Sequence, residues 1–174
     1  MHIRRAVQGD EAAIIRVHTD TWLTAYRDII PATHLDKLAH DPRFSFWLEC
    51  LTNAESRTFI HVAENSSGQI VGFAAAGSSR AAHHPHQAEL YALYVLPNQQ
   101  RSGAGRQLID ATARELRARD MQSMLLYVLK DNPSRQFYER LGGQLLEERR
   151  VEIDGQVFFD VIYGWSDLTP LMQA

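Results

Sequence analysis

The sequence predicts an α+β (mixed α/β) domain with one central, mixed, mostly antiparallel sheet of about seven strands flanked by helices. Three observations predict it. Apolar or alternating runs of strand length recur along the chain, and longer stretches with three- and four-residue apolar spacing separate some of them. Short polar turns join other pairs of runs directly, which makes hairpins. The resulting order is strand, helices, three strands, helix, strand, helix, two strands, the pattern of a sheet covered by helices.

Residues 2–7 read as a short strand. Asp10 then caps a helix in which Ile14, Val17/His18, Trp22 and Ala25/Tyr26 recur at helical steps. Pro31 suits the first turn of a second helix through Leu35 and Leu38, Pro42 breaks it, and residues 44–51 form another turn or two. Thr58–Ala63 and Ile70–Ala76 are strands joined by the polar turn Asn65-Ser66-Ser67-Gly68. A histidine-bearing loop leads to the strand Ala88–Leu96, ended by Pro97. A helix to about Arg119 follows, with Leu108, Ile109, Thr112 and Leu116 on one face. Met124–Leu129 is a buried strand, and Asp131-Asn132-Pro133 starts a helix stopped by Gly142-Gly143. The last two strands, 144–153 and 156–165, meet at Asp154-Gly155, a strong hairpin signal.

The 174 residues, 45% hydrophobic and 22% charged, fit one globular domain spanning 1–174. A net charge of −3 gives no support to a nucleic-acid-binding surface, although a local basic pocket for a small phosphorylated ligand stays open. Cys50 is the sole cysteine, so neither an intramolecular disulfide nor a cysteine metal site is available. The N-terminus lacks an apolar stretch of signal-peptide or membrane-span length. The expected setting is cytoplasmic, away from membranes.

The segment Gln100-Arg101-Ser102-Gly103-Ala104-Gly105 lies between a strand and a helix. Glycines there let the backbone bend and bring N–H groups close to a ligand, and the helix start adds donors and the positive end of its dipole. Arg101 and Arg106 flank the place, which suits a phosphate or pyrophosphate. A P-loop would need Lys then Ser or Thr after its last glycine, where Arg106 and Gln107 stand. A dinucleotide fingerprint would need a third glycine at Leu108 and a turn straight off the first strand. A loop that merely turns the chain remains open on these residues alone.

The surrounding residues extend the match. Glu89 through Gly105, reading Glu-Leu-Tyr-Ala-Leu-Tyr-Val-Leu-Pro-Asn-Gln-Gln-Arg-Ser-Gly-Ala-Gly, resembles the signature of the GNAT superfamily of acyl-CoA N-acyltransferases. The glycine loop fits that family's Q/R-x-x-G-x-G/A pattern after a strand ending in V-x-P. Asn132 followed by Phe137-Tyr138-Glu139-Arg140-Leu141-Gly142 resembles its second block. Ser134 and Arg135 replace the small residue often found at that helix start, and Gly143 replaces the usual aromatic.

This resemblance implies an acetyl-CoA-dependent N-acetyltransferase acting on a primary amine of a small molecule or peptide. It implies that the strands 88–96 and 124–129, the fourth and fifth, splay apart to admit the thioester. The main chain around Leu93, Tyr94 and Val95 would pair with the pantetheine arm. Residues Arg101, Ser102, Gly103, Ala104, Gly105 and Arg106 would hold the pyrophosphate, and Asn132 would contact the cofactor arm. A homodimer is the oligomer the resemblance suggests. A non-catalytic acyl-CoA-binding module and a protein N-terminal or lysine acetyltransferase are the alternatives. The branch acting on ribosomal-protein N-termini carries a glutamate where Tyr127 stands, which counts against that acceptor.

Amine attack on a thioester needs a neutral amine, a polarised carbonyl and a proton for the departing thiolate. Fixed N–H groups near Leu93 or Val95 would polarise the carbonyl. Glu89, at the start of the fourth strand and on the side of Tyr91 by two-residue alternation, is the candidate base; a solvated strand-end carboxylate is the plain alternative. Tyr138 is a core aromatic on pattern alone and, with the resemblance, the candidate acid near sulfur. His18, Trp22 and Tyr26 share one helix face, and Trp22 and Tyr26 suit an amine pocket or simple packing on the sheet. His83, His84 and His86 lack a carboxylate or cysteine at matching spacing, so no metal is assigned.

Overall fold

The computed structural model describes residues 1–31, 49–51, 53, 57–153 and 155–172. Its elements are β1 (His2–Arg5), α1 (Glu11–Ala25), β2 (Phe59–Glu64), β3 (Ile70–Ser78), β4 (Ala88–Val95), α2 (Ala104–Ala118), β5 (Met124–Leu129), α3 (Arg135–Arg140), β6 (Gln144–Ile153) and β7 (Gln156–Trp165). Single 3₁₀ turns cover Pro97–Gln99 and Thr169–Met172. The helices expected at 31–38 and 44–51 fall outside the described residues, apart from Pro31, which is not helical, and 49–51, which are. No described helix is long and apolar enough to cross a membrane.

The seven strands form one sheet in the order β1-β2-β3-β4-β5-β7-β6. Every neighbouring pair is antiparallel except β4 and β5, which run parallel. Hairpins account for β2–β3 and β6–β7. In the β2–β3 turn, Asn65 Oδ1 accepts from the N–H groups of Ser67 (2.9 Å) and Gln69 (3.0 Å), and Gly68 supplies the left-handed residue at φ +75°. In the β6–β7 turn Ile153 pairs with Gln156. The parallel pair needs a crossover, and α2 provides it.

The helices bury one face each against the sheet. On α2, Leu108, Ile109, Thr112, Ala113 and Leu116 are fully buried at the expected spacing. Each large apolar side chain so buried stabilises the fold by about 1.5–3 kcal/mol relative to exposure. They share a core with Phe59, Ala76, Leu90, Met124, Leu126 and Trp165. On the opposite face, Ile14 and Val17 of α1 pack on Ile60, Val62, Phe73, Ala75 and Ala92. Asp10 occupies the N-cap position of α1 without capping it by its side chain. Its carboxylate instead takes the Val7 N–H (2.9 Å) and the Arg4 guanidinium (2.7 and 3.0 Å), tying β1 to the helix start. That partner holds Asp10 below the usual carboxylate range.

The departure at Gly143 has a packing cause. A Cβ there would lie 2.8 Å from Trp165 Cζ2 and 2.9 Å from the Tyr138 carbonyl oxygen. The Trp165 ring fills this space from β7, and its Nε1 donates to the Leu141 carbonyl at 2.9 Å.

Candidate active site

The parallel pairing of β4 with β5 is confined to Ala88↔Met124 and Glu89↔Leu125. Beyond it, β4 continues to pair with β3 and β5 with β7, so the two strands part while each keeps its outer neighbour. Leu96 N–H donates to the Val71 carbonyl at 2.9 Å, and Tyr94 pairs with Phe73. By antiparallel alternation, the backbone groups of Tyr94 therefore face β3, while those of Leu93 and Val95 face the gap. Of the three main-chain positions expected to meet a ligand, Leu93 and Val95 turn their backbone groups to the gap, and Tyr94 turns its own to β3 and places its ring 4.8 Å from that of His18 on α1. The Val95 carbonyl accepts from Gln100 Nε2 at 3.1 Å, a contact that fastens the glycine loop to the lip of the gap.

A bulge shapes the inner end of β4. Ala75 pairs with Ala92 but Ala76 with Leu90, leaving Tyr91 as the extra residue. Strict alternation therefore fails at Tyr91. Glu89 and Tyr91 nonetheless line the same pocket of about 320 Å³, with Arg80, Leu90, Tyr127 and Arg149. Tyr91 Oη donates to the Ser78 carbonyl at 2.5 Å, and burial pushes its phenol up.

Glu89 is not a solvated strand-end carboxylate. It is 1% exposed, and both its oxygens are engaged by Arg80. Oε2 takes the Arg80 backbone N–H at 3.1 Å and Nε at 3.2 Å, while Oε1 takes Nη2. This hydrogen bonding raises the Arg80 guanidinium further, so Arg80 stays protonated. Arg80 also lies over the Tyr91 ring at 4.4 Å. Across the pocket, Arg149 lies 4.3 Å from the Tyr127 ring centre and pairs with Asp160 at 3.1 Å. Sequence spacing gave no sign of either arginine's role, because each meets its partner through a loop or a neighbouring strand.

At the far side of the gap, Arg101 (φ +58°) and Gly103 (φ +88°) bend the loop into the start of α2. The first backbone bond of the helix runs from Gln107 N–H to the Gly103 carbonyl at 3.0 Å. The N–H groups just before it have no partner within the helix, as at any helix start. Among the described residues no side chain caps this end, and Ser102 Oγ donates away from it, to Gln99 O at 2.6 Å. Arg106 Nη2 donates to the Pro170 carbonyl at 3.2 Å, so its guanidinium is turned toward the C-terminal segment and away from the flanking role expected of it. Gly105 differs from Gly103 in lying under an aromatic ring: a Cβ there would sit in ordinary contact, 3.4 Å from Cζ of Phe137. Phe137 thus docks on the first turn of α2 and joins the two motifs.

Asn132 is buried, and its Oδ1 accepts from Ser134 N–H at 2.8 Å, starting the turn into α3. Tyr138 is 8% exposed, and burial pushes its phenol well above the ordinary tyrosine range, with Tyr26 adding to the shift. Tyr26 is raised by burial and opposed by a hydrogen bond with Asn132. Trp22 and Tyr26 lie ring to ring at 4.3 Å and pack with Leu129, Val151, Ile153 and Phe158. The structure therefore gathers Tyr26, Asn132 and Tyr138 in one place, roofed by α1. The loop histidines also find a carboxylate: Glu147, 63 positions from His84, accepts or shares a proton with His84 Nε2 at 3.1 Å.

A gap between parallel strands with a glycine-bent helix start at one lip is the framework of an acyl-CoA-binding fold, and known proteins share it. The model of the acetyltransferase (GNAT) family matches residues 19–143, and the chain belongs to that family, whose members use acetyl-CoA. It is 34% identical over 169 residues to the uncharacterized N-acetyltransferase YuaI of Bacillus subtilis, covering 97% of this chain and 95% of that one. It is 31% identical over 119 residues to a mycothiol acetyltransferase of Saccharomonospora viridis, covering 62% of this chain and 39% of that protein. Among solved structures, the PaiA N-acetyltransferase of Thermoplasma acidophilum in complex with coenzyme A superposes with a TM-score of 0.71 at 18% identity, covering 92% and 96% of the two chains.

Proposed function

We propose that this chain, acting as a single domain, transfers an acetyl group from acetyl-CoA to a primary amine of a small molecule or peptide, by direct attack in a ternary complex. The observation that carries the proposal is the early end of β4–β5 pairing at Glu89↔Leu125, which leaves Leu93 and Val95 with backbone groups directed into a gap, while Tyr138 shares a core cluster with Val95 of β4 and Val128 of β5. The residues present fit the donor. Leu93 and Val95 would bind its arm as an added strand, and Gly103, Ala104 and Gly105 would offer N–H groups to its pyrophosphate. When bound, acetyl-CoA supplies the activated acetyl thioester.

Tyr138, kept protonated by burial, is suited to give a proton to the departing sulfur. Glu89 is suited to take one from the acceptor only after Arg80 yields, and an ammonium group entering the pocket is a replacement for that cation. The Arg80 pair also favours a second reading, in which Glu89 fixes the pocket and water carries the proton out. Trp22 and Tyr26 would form the apolar side of the acceptor channel. A thiol-release screen with acetyl-CoA against pooled amines tests the activity. Amine-dependent release supports it, and saturable CoA binding without release across a broad panel would reduce the chain to a binding module.

A further inference from the structure

The loop between β3 and β4 meets β6 through three side chains that the acetyl-transfer reading does not use. His83 and His84 lie in a turn closed by the His84 N–H donating to the Ala81 carbonyl at 3.0 Å. Their rings are 4.5 Å apart. Both direct Nε2 at one oxygen of Glu147, at 3.7 Å from His83 and 3.1 Å from His84. All three potential ligand atoms lie within 4.8 Å of one another.

We propose that His83, His84 and Glu147 form a binding site for a divalent transition metal such as zinc, clamping the β3–β4 loop to β6. The chemistry of the donors fits. Two imidazole nitrogens and one carboxylate oxygen are borderline ligands preferred by zinc, cobalt and nickel over magnesium or calcium. Tetrahedral zinc with bonds of about 2.0–2.2 Å holds its ligand atoms roughly 3.3–3.5 Å apart. The observed 3.1 and 3.7 Å from Glu147 bracket that separation, and with all three atoms within 4.8 Å of one another side-chain rotations bring the set around an ion. Three protein ligands leave a fourth position open to solvent, and His83 and Glu147 are exposed enough for an ion to enter.

His86 is excluded from the set by its packing. It lies against Gly164, where a Cβ would fall 2.6 Å from its Nε2, so its ring is wedged onto β7. The site's position gives the clamp a consequence. The loop it would fix carries Arg80, the residue that holds Glu89, and Arg149, two positions beyond Glu147 on β6, lines the same pocket. A bound cation would therefore hold the pocket's rim to its wall.

The test uses the full chain, stripped with a chelator and then titrated with zinc by calorimetry and with cobalt by visible absorption. The wild type should bind one ion per chain and give the intense cobalt bands of a low-coordinate site. His83→Gln, at an exposed position, and Glu147→Gln should each weaken zinc binding at least tenfold. Zinc should raise the melting temperature of the wild type and of neither variant, while CoA affinity stays unchanged in all three. Equal zinc affinity in wild type and His83→Gln would overturn the site, as would a cobalt spectrum that remains that of the hydrated ion. Because CoA binding is followed in parallel, loss of the metal site and failure of the acetyl-transfer reading give different results.

Discussion

Replacing Tyr138 by phenylalanine removes one oxygen from a side chain that is 8% exposed. Among the described residues no hydrogen bond to that oxygen is found, so its removal leaves no buried partner unsatisfied. The ring itself, edge-on to Phe137 at 5.4 Å, keeps its packing. Stability should therefore change by no more than about 0.5 kcal/mol, as for a substitution that breaks no network. The effect on turnover should be much larger. A positioned acid contributes about 10²–10⁴-fold, and thiolates are fair leaving groups, so a loss near 10², about 2.7 kcal/mol in the barrier, is expected. The assay is kcat with an acceptor found by the amine screen, beside CoA affinity and melting temperature of both proteins. Wild-type turnover in Tyr138→Phe would remove the phenol from the proton path. A fall in melting temperature of many degrees would make the residue structural.

Four further outcomes follow from the geometry. Gly105→Val, whose Cβ alone would contact Phe137 at 3.4 Å, should weaken CoA binding at least tenfold (about 1.4 kcal/mol) and lower the melting temperature; unchanged calorimetric affinity would refute the loop's role. Glu89→Gln should lower kcat/KM at pH 7 with CoA affinity intact, and the deficit should shrink as pH rises and free amine accumulates; a deficit constant across the range would assign Glu89 to holding Arg80. Gly143→Ala should destabilise by about 1–3 kcal/mol, read by denaturant melts, because its Cβ meets Trp165 at 2.8 Å; no loss would show that the ring moves freely. Asp10→Asn should cost stability at neutral pH. The folded Asp10 lies below its ordinary value near 3.8, so its contribution is present above that value and is lost as pH falls through the folded one, and wild type and variant should converge in acid.

The sheet was readable because its determinants are local. Asn65 and Gly68 turn the chain by their own chemistry, and α2 declares itself through the spacing of Leu108, Ile109, Thr112 and Leu116. The same holds for the glycine loop, where Gly103 needs φ +88°. What escaped the sequence is what tertiary structure creates. The bulge at Tyr91 has no residue signature, so the two-residue alternation that related Glu89 to Tyr91 could not show it. Arg80 reaches Glu89 across a loop, and Glu147 reaches His84 from another strand, 63 positions away. Those pairings turn a lone strand-end carboxylate and a histidine-rich loop into shaped chemical sites. Arg106 shows the converse: adjacency in sequence suggested a phosphate contact, and the Pro170 carbonyl claims its guanidinium.

Whether an acetyl group passes from acetyl-CoA to an amine in the gap between β4 and β5 is decided by following both products of one reaction. The chain is incubated with acetyl-CoA and pooled primary amines, free thiol is followed by absorbance, and the amines are analysed by mass spectrometry. Thiol release should depend on added amine and be matched mole for mole by one N-acetylated product, with both reduced about 10²-fold in Tyr138→Phe. Thiol release without an acetylated amine, or equal product from wild type and Tyr138→Phe together with Gly105→Val, would contradict it.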